Sequence, residues 1–418
     1  MAKIINLKAR EILDSRGIPT IETEIWLDTG HYAVASVPSG TSTGKYEAVE
    51  LRDSDPHRFN GQGVLKATNN VNAIIAPQLI GKDPQDQTQI DQLLINLDGT
   101  KNKAKLGANA ILSVSQAVCE VAAASMNLPT YLYLIWKYRG KDKVAKIPTP
   151  IFNVINGGTH GAGNLDFQEF HLIPSTLKPY HQALQIGEEI YQTLEKILIE
   201  KGAVHSVGVE GGFAPNLFTN MDALEAIMEA ISRTPHQFAQ DVFIGLDVAA
   251  SHFFDNGHYT IKDRSQSFTA KEFLSYYEEL GKNYHLFSLE DPLQEDDWQS
   301  WQELTALVGH TTLIVGDDLL ATNKDRLRKA IDIKACTAIL VKPNQIGTIS
   351  ETIEVINIAR QTNFKVIVSH RSGETTDDFI ADFAVGLEAD YTKFGAPVRG
   401  ERIAKYNRLL VIEQEITP

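Results

Sequence analysis

TLIVGDDLLATNKDRLRKAIDIKACTAILVKPNQ, residues 312–345, carries the pattern that decides the fold. An apolar run ends in Gly-Asp-Asp, a helical stretch follows, and a second apolar run ends in Lys342. Apolar residues at consecutive positions, rich in β-branched side chains, read as strands covered on both faces, as in parallel sheets. Related runs lie on either side: PIFNVINGG (150–158), FQEFHLIP (167–174), VFIGLDVAAS (242–251), LFSLEDP (286–292) and KVIVSHRSGE (365–374). From Glu290 the polar run ends fall at Asp317, Lys342, His370 and Lys393, in steps of 27, 25, 28 and 23 residues. Each step holds one strand and one helix. Alternation of this kind over roughly 270 residues is what an α/β TIM-type (β/α)8 barrel requires.

Before the barrel the pattern differs. TIETEIWLDTGHYAVASVP alternates like strands, with Thr29-Gly30 as a hairpin turn, and three stretches of helical periodicity follow up to Met126. Strands followed by helices predict a smaller α+β domain over 1–138, ahead of a barrel over 139–418. KYRGKDKVAKIPTP (137–150), rich in lysine and proline, reads as an exposed connector.

Composition narrows the function. The 418 residues carry a net charge of −14, which argues against a nucleic-acid surface; an anionic ligand would need a local group of cations, aided by metal. The two cysteines, Cys119 and Cys336, sit in apolar stretches, which excludes a disulfide framework. No run of 18 apolar residues occurs and the first residues lack an apolar leader core, so the expectation is a cytoplasmic chain without a membrane span.

The ends of the strands carry the chemistry. Asp247, Glu290, Asp317, Lys342, His370 and Lys393 each end an apolar run, at the barrel face that collects catalytic groups. Any one such junction could be polar by chance; six ionisable ends in succession point to an active site. Asp247, Glu290 and Asp317 offer carboxylate oxygens with no cysteine nearby, a donor set for Mg2+. Asp291 and Asp318, directly after two of them, suit capping or support of the ligands. Lys342 and Lys393 would be costly there unless paired or deprotonated, and metal charge would depress a lysine toward a general base; Lys342 could also pair with Asp317. Arg371 and Ser372 suit a phosphate. The loop at 39–45 reads as a lid or a connector, Glu169 and His160 flank a glycine-rich turn, and Glu210 is expected at a strand end before two glycines.

DSRG (14–17), SGTSTG (39–44), INGGTH (155–160), QEF (168–170), EGGFAPN (210–216), SLEDP (288–292), GDDL (316–319), KPNQIGT (342–348) and SHRSGET (369–375) closely resemble the enolase family, in order, over nearly the whole chain. The resemblance implies a Mg2+-dependent carbon–oxygen lyase that interconverts 2-phosphoglycerate and phosphoenolpyruvate in glycolysis. It implies two Mg2+ per site: the first on Asp247, Glu290 and Asp317, the second on Ser42 with substrate. It implies Lys342 as base, Glu210 as acid assisted by Glu169, His160 as a further catalytic residue, and His160, Gln168, Glu169, Lys342, Arg371, Ser372 and Lys393 as substrate-binding residues. It also implies a homodimer or higher homo-oligomer, with a small phosphorylated acid as the partner molecule. A divergent relative acting on a related phosphorylated or phosphonylated acid, and a non-catalytic binding protein on the same scaffold, are the competing readings.

The chain departs from the family pattern at Val209, where aspartate is usual, at Pro343 after the lysine, at His252 in place of glutamate, and at Val411 in place of an arginine used in dimer contacts. Val209 is expected either to point at Glu210, desolvating it and keeping it protonated, or to point away and act through packing.

Overall fold

The computed structural model describes residues 2–40, 44–161 and 163–417. Near the N-terminus, strands β1 (Ile4–Leu13), β2 (Pro19–Leu27) and β3 (Tyr32–Ser36) form an antiparallel sheet in that order. Trp26 pairs with Tyr32 across the turn, and Gly30 adopts φ +86°, the left-handed conformation that a tight hairpin turn asks for. β1 was not anticipated: its exposed face carries Asn6, Lys8 and Arg10, and the charged positions mask the alternation. The helix Ala108–Ser125 lies on β2 and β3 and is buried on nearly every side, where Thr23 and Ser113 satisfy each other's hydroxyls at 2.7 Å.

The barrel begins with β4 (Thr149–Asn156), β5 (Glu169–Pro174) and β6 (Val242–Asp247). A small side sheet of β7 (Phe254–Asp255), β8 (His258–Tyr259) and β9 (Phe268–Thr269) interrupts the alternation. Then come β10 (Ser288–Glu290), β11 (Leu313–Gly316), β12 (Ala338–Val341), β13 (Lys365–Ser369) and β14 (Tyr391–Lys393). The eight strands close in the order β10-β11-β12-β13-β14-β4-β5-β6.

One strand runs against the simple expectation of eight parallel strands. β5 is antiparallel to both β4 and β6, whereas the other neighbours in the ring are parallel. A parallel return needs a crossover of a dozen or more residues, usually a helix, and the described residues of 157–168 hold a single short helical turn. The chain therefore turns straight back, and two successive helices, Tyr180–Glu200 and Asn220–Ser232, restore the direction before β6. The reversal has a consequence at the mouth: β5 delivers its first residues there, so Gln168 and Glu169 arrive beside Asp247, with which Glu169 is paired.

The unbroken apolar runs have a simple cause. In β12, Ala338 and Leu340 join Ile151, Ile173, Val315 and Ile367 inside the barrel, while Ile339 and Val341 pack outward under the helices. Both faces are dry, so no polar alternation survives. Among the described residues no single helix is long and apolar enough to cross a membrane.

The two parts of the chain are tied together by Asp382. Its carboxylate accepts from the Tyr131 backbone N–H at 3.0 Å and from Arg408 Nε and Nη2 at 2.6 and 2.8 Å. It thus joins the helices Thr130–Leu134, Phe379–Gly386 and Gly400–Ile416. Asp382→Ala leaves a buried amide and a guanidinium without their acceptor, and is expected to cost about 2–3 kcal/mol. Calorimetric melting checks this; an unchanged melting profile would refute it.

Candidate active site

The parallel strands and the reversed β5 bring their polar ends to one mouth, a narrow cleft lined by polar and charged side chains. Lys393, at the end of β14, is 2 % exposed. Its ammonium lies 2.8 and 2.9 Å from the two oxygens of Glu290, 3.3 Å from Asp247 Oδ2 and 3.1 Å from Glu169 Oε2. Burial lowers the pKa of Lys393, but Glu169, Glu290 and Asp247 together raise it well above the ordinary lysine value. Lys342 follows β12 and donates to Asp317 Oδ2, which also explains why it is not depressed: burial lowers it, and Asp317 more than restores it. The expected depression of Lys342 is therefore not a property of the protein groups by themselves.

His160 stands between two carboxylates. Its Nδ1 is 3.4 Å from Glu169 Oε1 and 3.6 Å from Glu210 Oε1. Burial lowers the His160 pKa, yet Glu210 and Glu169 raise it above the usual histidine value. Glu210 accepts from Asn153 Nδ2 at 3.0 Å and faces His370 Nε2 at 3.5 Å. Burial and Glu169 raise the Glu210 pKa, but His160 and His370 bring it down to about 2. One expectation is corrected here. Glu210 sits in a turn between the bridging residues Val207 and Phe213, not at a strand end, because Val207 and Phe213 pair with each other and close the turn.

Val209 is half-buried, absent from the residues lining the cleft, and its carbonyl accepts from Arg402 Nη2 at 3.1 Å. Arg402, fully buried, also donates to His370 Nδ1 and to the carbonyls of Arg371 and Ser372, each at 2.7 Å. That contact makes Nδ1 of His370 an acceptor and turns Nε2–H toward Glu210.

Arg371 lines the cleft as expected, and Ser372 Oγ lies 3.4 Å from His160 Nε2. The guanidinium fork, however, already holds an anion: Glu47 Oε2 lies 2.9 Å from Nη1, and Glu47 Oε1 lies 3.3 Å from Nη2. Glu47 Oε1 also accepts from the Gly44 backbone N–H at 3.0 Å, at the end of the glycine-rich loop. The other root of that loop is fastened where Ser39 and Gly373 exchange backbone hydrogen bonds of 2.8 and 2.9 Å. Ser42, the expected ligand of a second metal, lies outside the described residues. Gln168 Nε2 reaches Asp247 Oδ2 at 3.3 Å.

Seven carboxylates line the cleft, against the three permanent cations Lys342, Arg371 and Lys393. Burial and mutual repulsion push Glu290 and Asp291 well above the usual carboxyl range and Asp318 to about 7. Oxygen donors crowded at such cost suit a hard divalent cation, so the residues fit Mg2+. Oxygens of Asp291, Asp317 and Asp318 lie within 4.8 Å of one another, while Asp247 and Glu290 are drawn together through Lys393. Asp291 is a support: its two oxygens accept from the backbone N–H groups of Asp317 and Asp318, at 3.0 and 2.7 Å.

Known families match this architecture over almost the full chain. The N-terminal domain of enolase matches residues 4–134, and the enolase C-terminal TIM barrel domain matches residues 144–418. The chain belongs to the enolase family. Membership accounts for the α+β domain and for the acidic barrel mouth of an enolase-type enzyme. It leaves the departures to be read from this structure. Pro343 starts the short helical turn Pro343–Ile346, where its fixed φ and missing N–H cost nothing. His252 stands exposed at the rim of the cleft, and Val411 is exposed on the C-terminal helix.

Sequence reasoning missed Glu47, Asn153, His171 and Arg402. Only His171 left a signal: it follows Glu169 by two positions in a strand and so shares its face. The role of Asp291 yields a test. Asp291→Asn keeps the shape but loses one of two acceptors, and is expected to weaken Mg2+ binding about 10–100-fold with the fold intact. Calorimetric titration with Mg2+ measures this; an affinity equal to that of the parent chain would refute it.

Proposed function

We propose that this chain catalyses the reversible dehydration of 2-phospho-D-glycerate to phosphoenolpyruvate. The observation that carries the reading is the opposition of two proton-handling groups. Lys342 ends β12, whereas Glu169 begins β5, four places away in a ring of eight strands, with His160 and Glu210 beside it. A 1,2-elimination needs a base on one side of the substrate and a proton donor for the departing hydroxyl on the other.

Lys342, as the neutral amine once Asp317 no longer holds its proton, takes the proton from C2, the C–H electron pair becomes the new carbon–carbon double bond, and the C3 hydroxyl departs as water. The proton that leaves with the hydroxyl comes from the His160–Glu210–Glu169 group, in which Glu169 and Glu210 lie 3.4 and 3.6 Å from His160 Nδ1. Mg2+ on Asp247, Glu290 and Asp317 would supply the positive charge that stabilises an enolate and draws the Asp317 carboxylate away from Lys342. Lys393 adds its own charge at the carboxylate side, and Arg371 and Ser372 hold the phosphate once Glu47 yields the guanidinium.

Two measurements test the assignment. In a coupled assay with 2-phosphoglycerate and Mg2+, turnover is expected, and chelation with EDTA is expected to abolish it. Lys342→Ala is expected to lose exchange of the C2 proton with solvent by about 10²–10⁴-fold. Glu210→Gln should keep that exchange and lose net dehydration. Wild-type exchange in Lys342→Ala would remove Lys342 as the base, and turnover without divalent metal would remove the metal from the reaction.

A further inference from the structure

His171 takes no part in the scheme above, yet it lies directly beneath the acid group. It is 1 % exposed and sits on β5, where the period of two places it on the same face as Glu169. Its Nε2 lies 2.8 Å from Glu169 Oε2, the oxygen that also receives Lys393 Nζ at 3.1 Å. The other oxygen, Oε1, faces His160. With Lys393 on the same oxygen, Glu169 Oε2 is the acceptor in this contact, and His171 Nε2–H donates.

The surroundings leave space for the imidazole. Gly245 pairs with His171 across the β5–β6 ladder, and a Cβ built there would fall 2.3 Å from Ser288 Oγ and 3.5 Å from His171 Cβ. A side chain at 245 would crowd Ser288 and Ile173, so this part of the interior is left to Ser288, Ile173 and His171. On the opposite ladder His171 pairs with Asn153, whose amide holds Glu210. The two neighbouring positions thus each anchor one of the two carboxylates that flank His160.

We propose that His171 is a positioning residue for the dehydration: by donating Nε2–H to Glu169 Oε2 it fixes the rotation of that carboxylate, so that Oε1 is presented to His160 and to the departing hydroxyl. The inference rests on the 2-phosphoglycerate reading given above. Lys393 alone cannot set the rotation, because it divides its ammonium among Glu169, Asp247 and Glu290 and has no directional preference of its own. An imidazole N–H is directional and lies in a fixed plane. A buried histidine that merely fills the barrel would show the same exposure, so the test has to separate the hydrogen bond from the volume.

His171→Met keeps an apolar side chain of similar reach and removes the donor; His171→Gln places an amide N–H near the position of Nε2. With Mg2+ present, His171→Met is expected to lower kcat for net dehydration about 10–100-fold, as for loss of a hydrogen bond to a charged group. Its KM and its C2-proton exchange should stay within about twofold, since Lys342 is on the far wall, and His171→Gln should recover most of kcat. In protein labelled with 15N-histidine, the His171 Nε2–H proton should resonate downfield, vanish in His171→Met and move in Glu169→Gln. Wild-type kcat in His171→Met overturns the proposal. So does a His171→Gln variant as impaired as His171→Met when both melt like the parent. If the parent chain does not turn over 2-phosphoglycerate, the functional reading fails, and the resonance still decides the contact: a His171 signal indifferent to Glu169→Gln overturns it.

Discussion

The mouth of the barrel depends on one ammonium group. Lys393 reaches from β14 to carboxylates on β5, β6 and β10, and so ties strand ends that do not neighbour its own. At separations near 3 Å and in a buried setting each of these attractions is large, but so is the repulsion among three carboxylates if the cation is removed. The arrangement holds because charge, hydrogen bonding and strand register agree. Glu290 and Asp247 are direct partners in the β6–β10 ladder, so their oxygens are brought together by the backbone before any cation is considered. A single lysine offsets only part of that charge, and the surplus appears as raised carboxyl pKa values across Glu290, Asp291 and Asp318. A cleft with such a surplus attracts cations, which is the physical basis for reading it as a metal-assisted site.

The two walls of the cleft are built differently. One wall is regular: β10, β11 and β12 are short parallel strands, and their acidic and basic ends follow from where each strand stops. The other is irregular: a reversed strand, a helical turn at Gly158–His160, and the turn that carries Glu210. Irregular backbone needs external support, and the C-terminal helix provides it through Arg402. That one guanidinium holds the Val209 carbonyl, the His370 ring and the carbonyls of Arg371 and Ser372, so it sets the acid turn and the candidate phosphate loop in one frame. The helix that carries Arg402 also carries Arg408, which meets the N-terminal domain through Asp382. Position at the mouth is thus coupled to the packing of the two parts of the chain.

This contrast explains what could be read from the sequence. The regular wall was legible: an apolar run that stops at an ionisable residue marks both the strand and the site, so Asp247, Glu290, Asp317, Lys342, His370 and Lys393 could be placed together. The irregular wall was not. Reversal of β5 depends on a linker too short for a crossover, and the turn at Glu210 depends on a bridge between Val207 and Phe213, neither of which has a periodic signature. Glu47 was invisible for another reason: its partner, Arg371, lies 324 positions away, and its own segment, KYEAVELRD, reads as ordinary polar chain. β1 escaped because charged residues occupy its outer face.

In the proposed dehydration the irregular wall is where the leaving group would find its proton. His160 and His370 lower the Glu210 pKa against the upward push of burial and Glu169. His160 lies between Glu210 and Glu169, and the two negative charges that lower its cost of protonation are the same ones whose own pKa values it depresses. His370 differs: Arg402 donates to its Nδ1, and burial with the nearby guanidinium lowers its pKa despite Glu210. Titration of groups placed so close is a property of the set and belongs to none of them singly. Val209 meets this set through its backbone: its carbonyl is held by Arg402, which also holds the His370 ring, and its side chain is not among those that line the cleft.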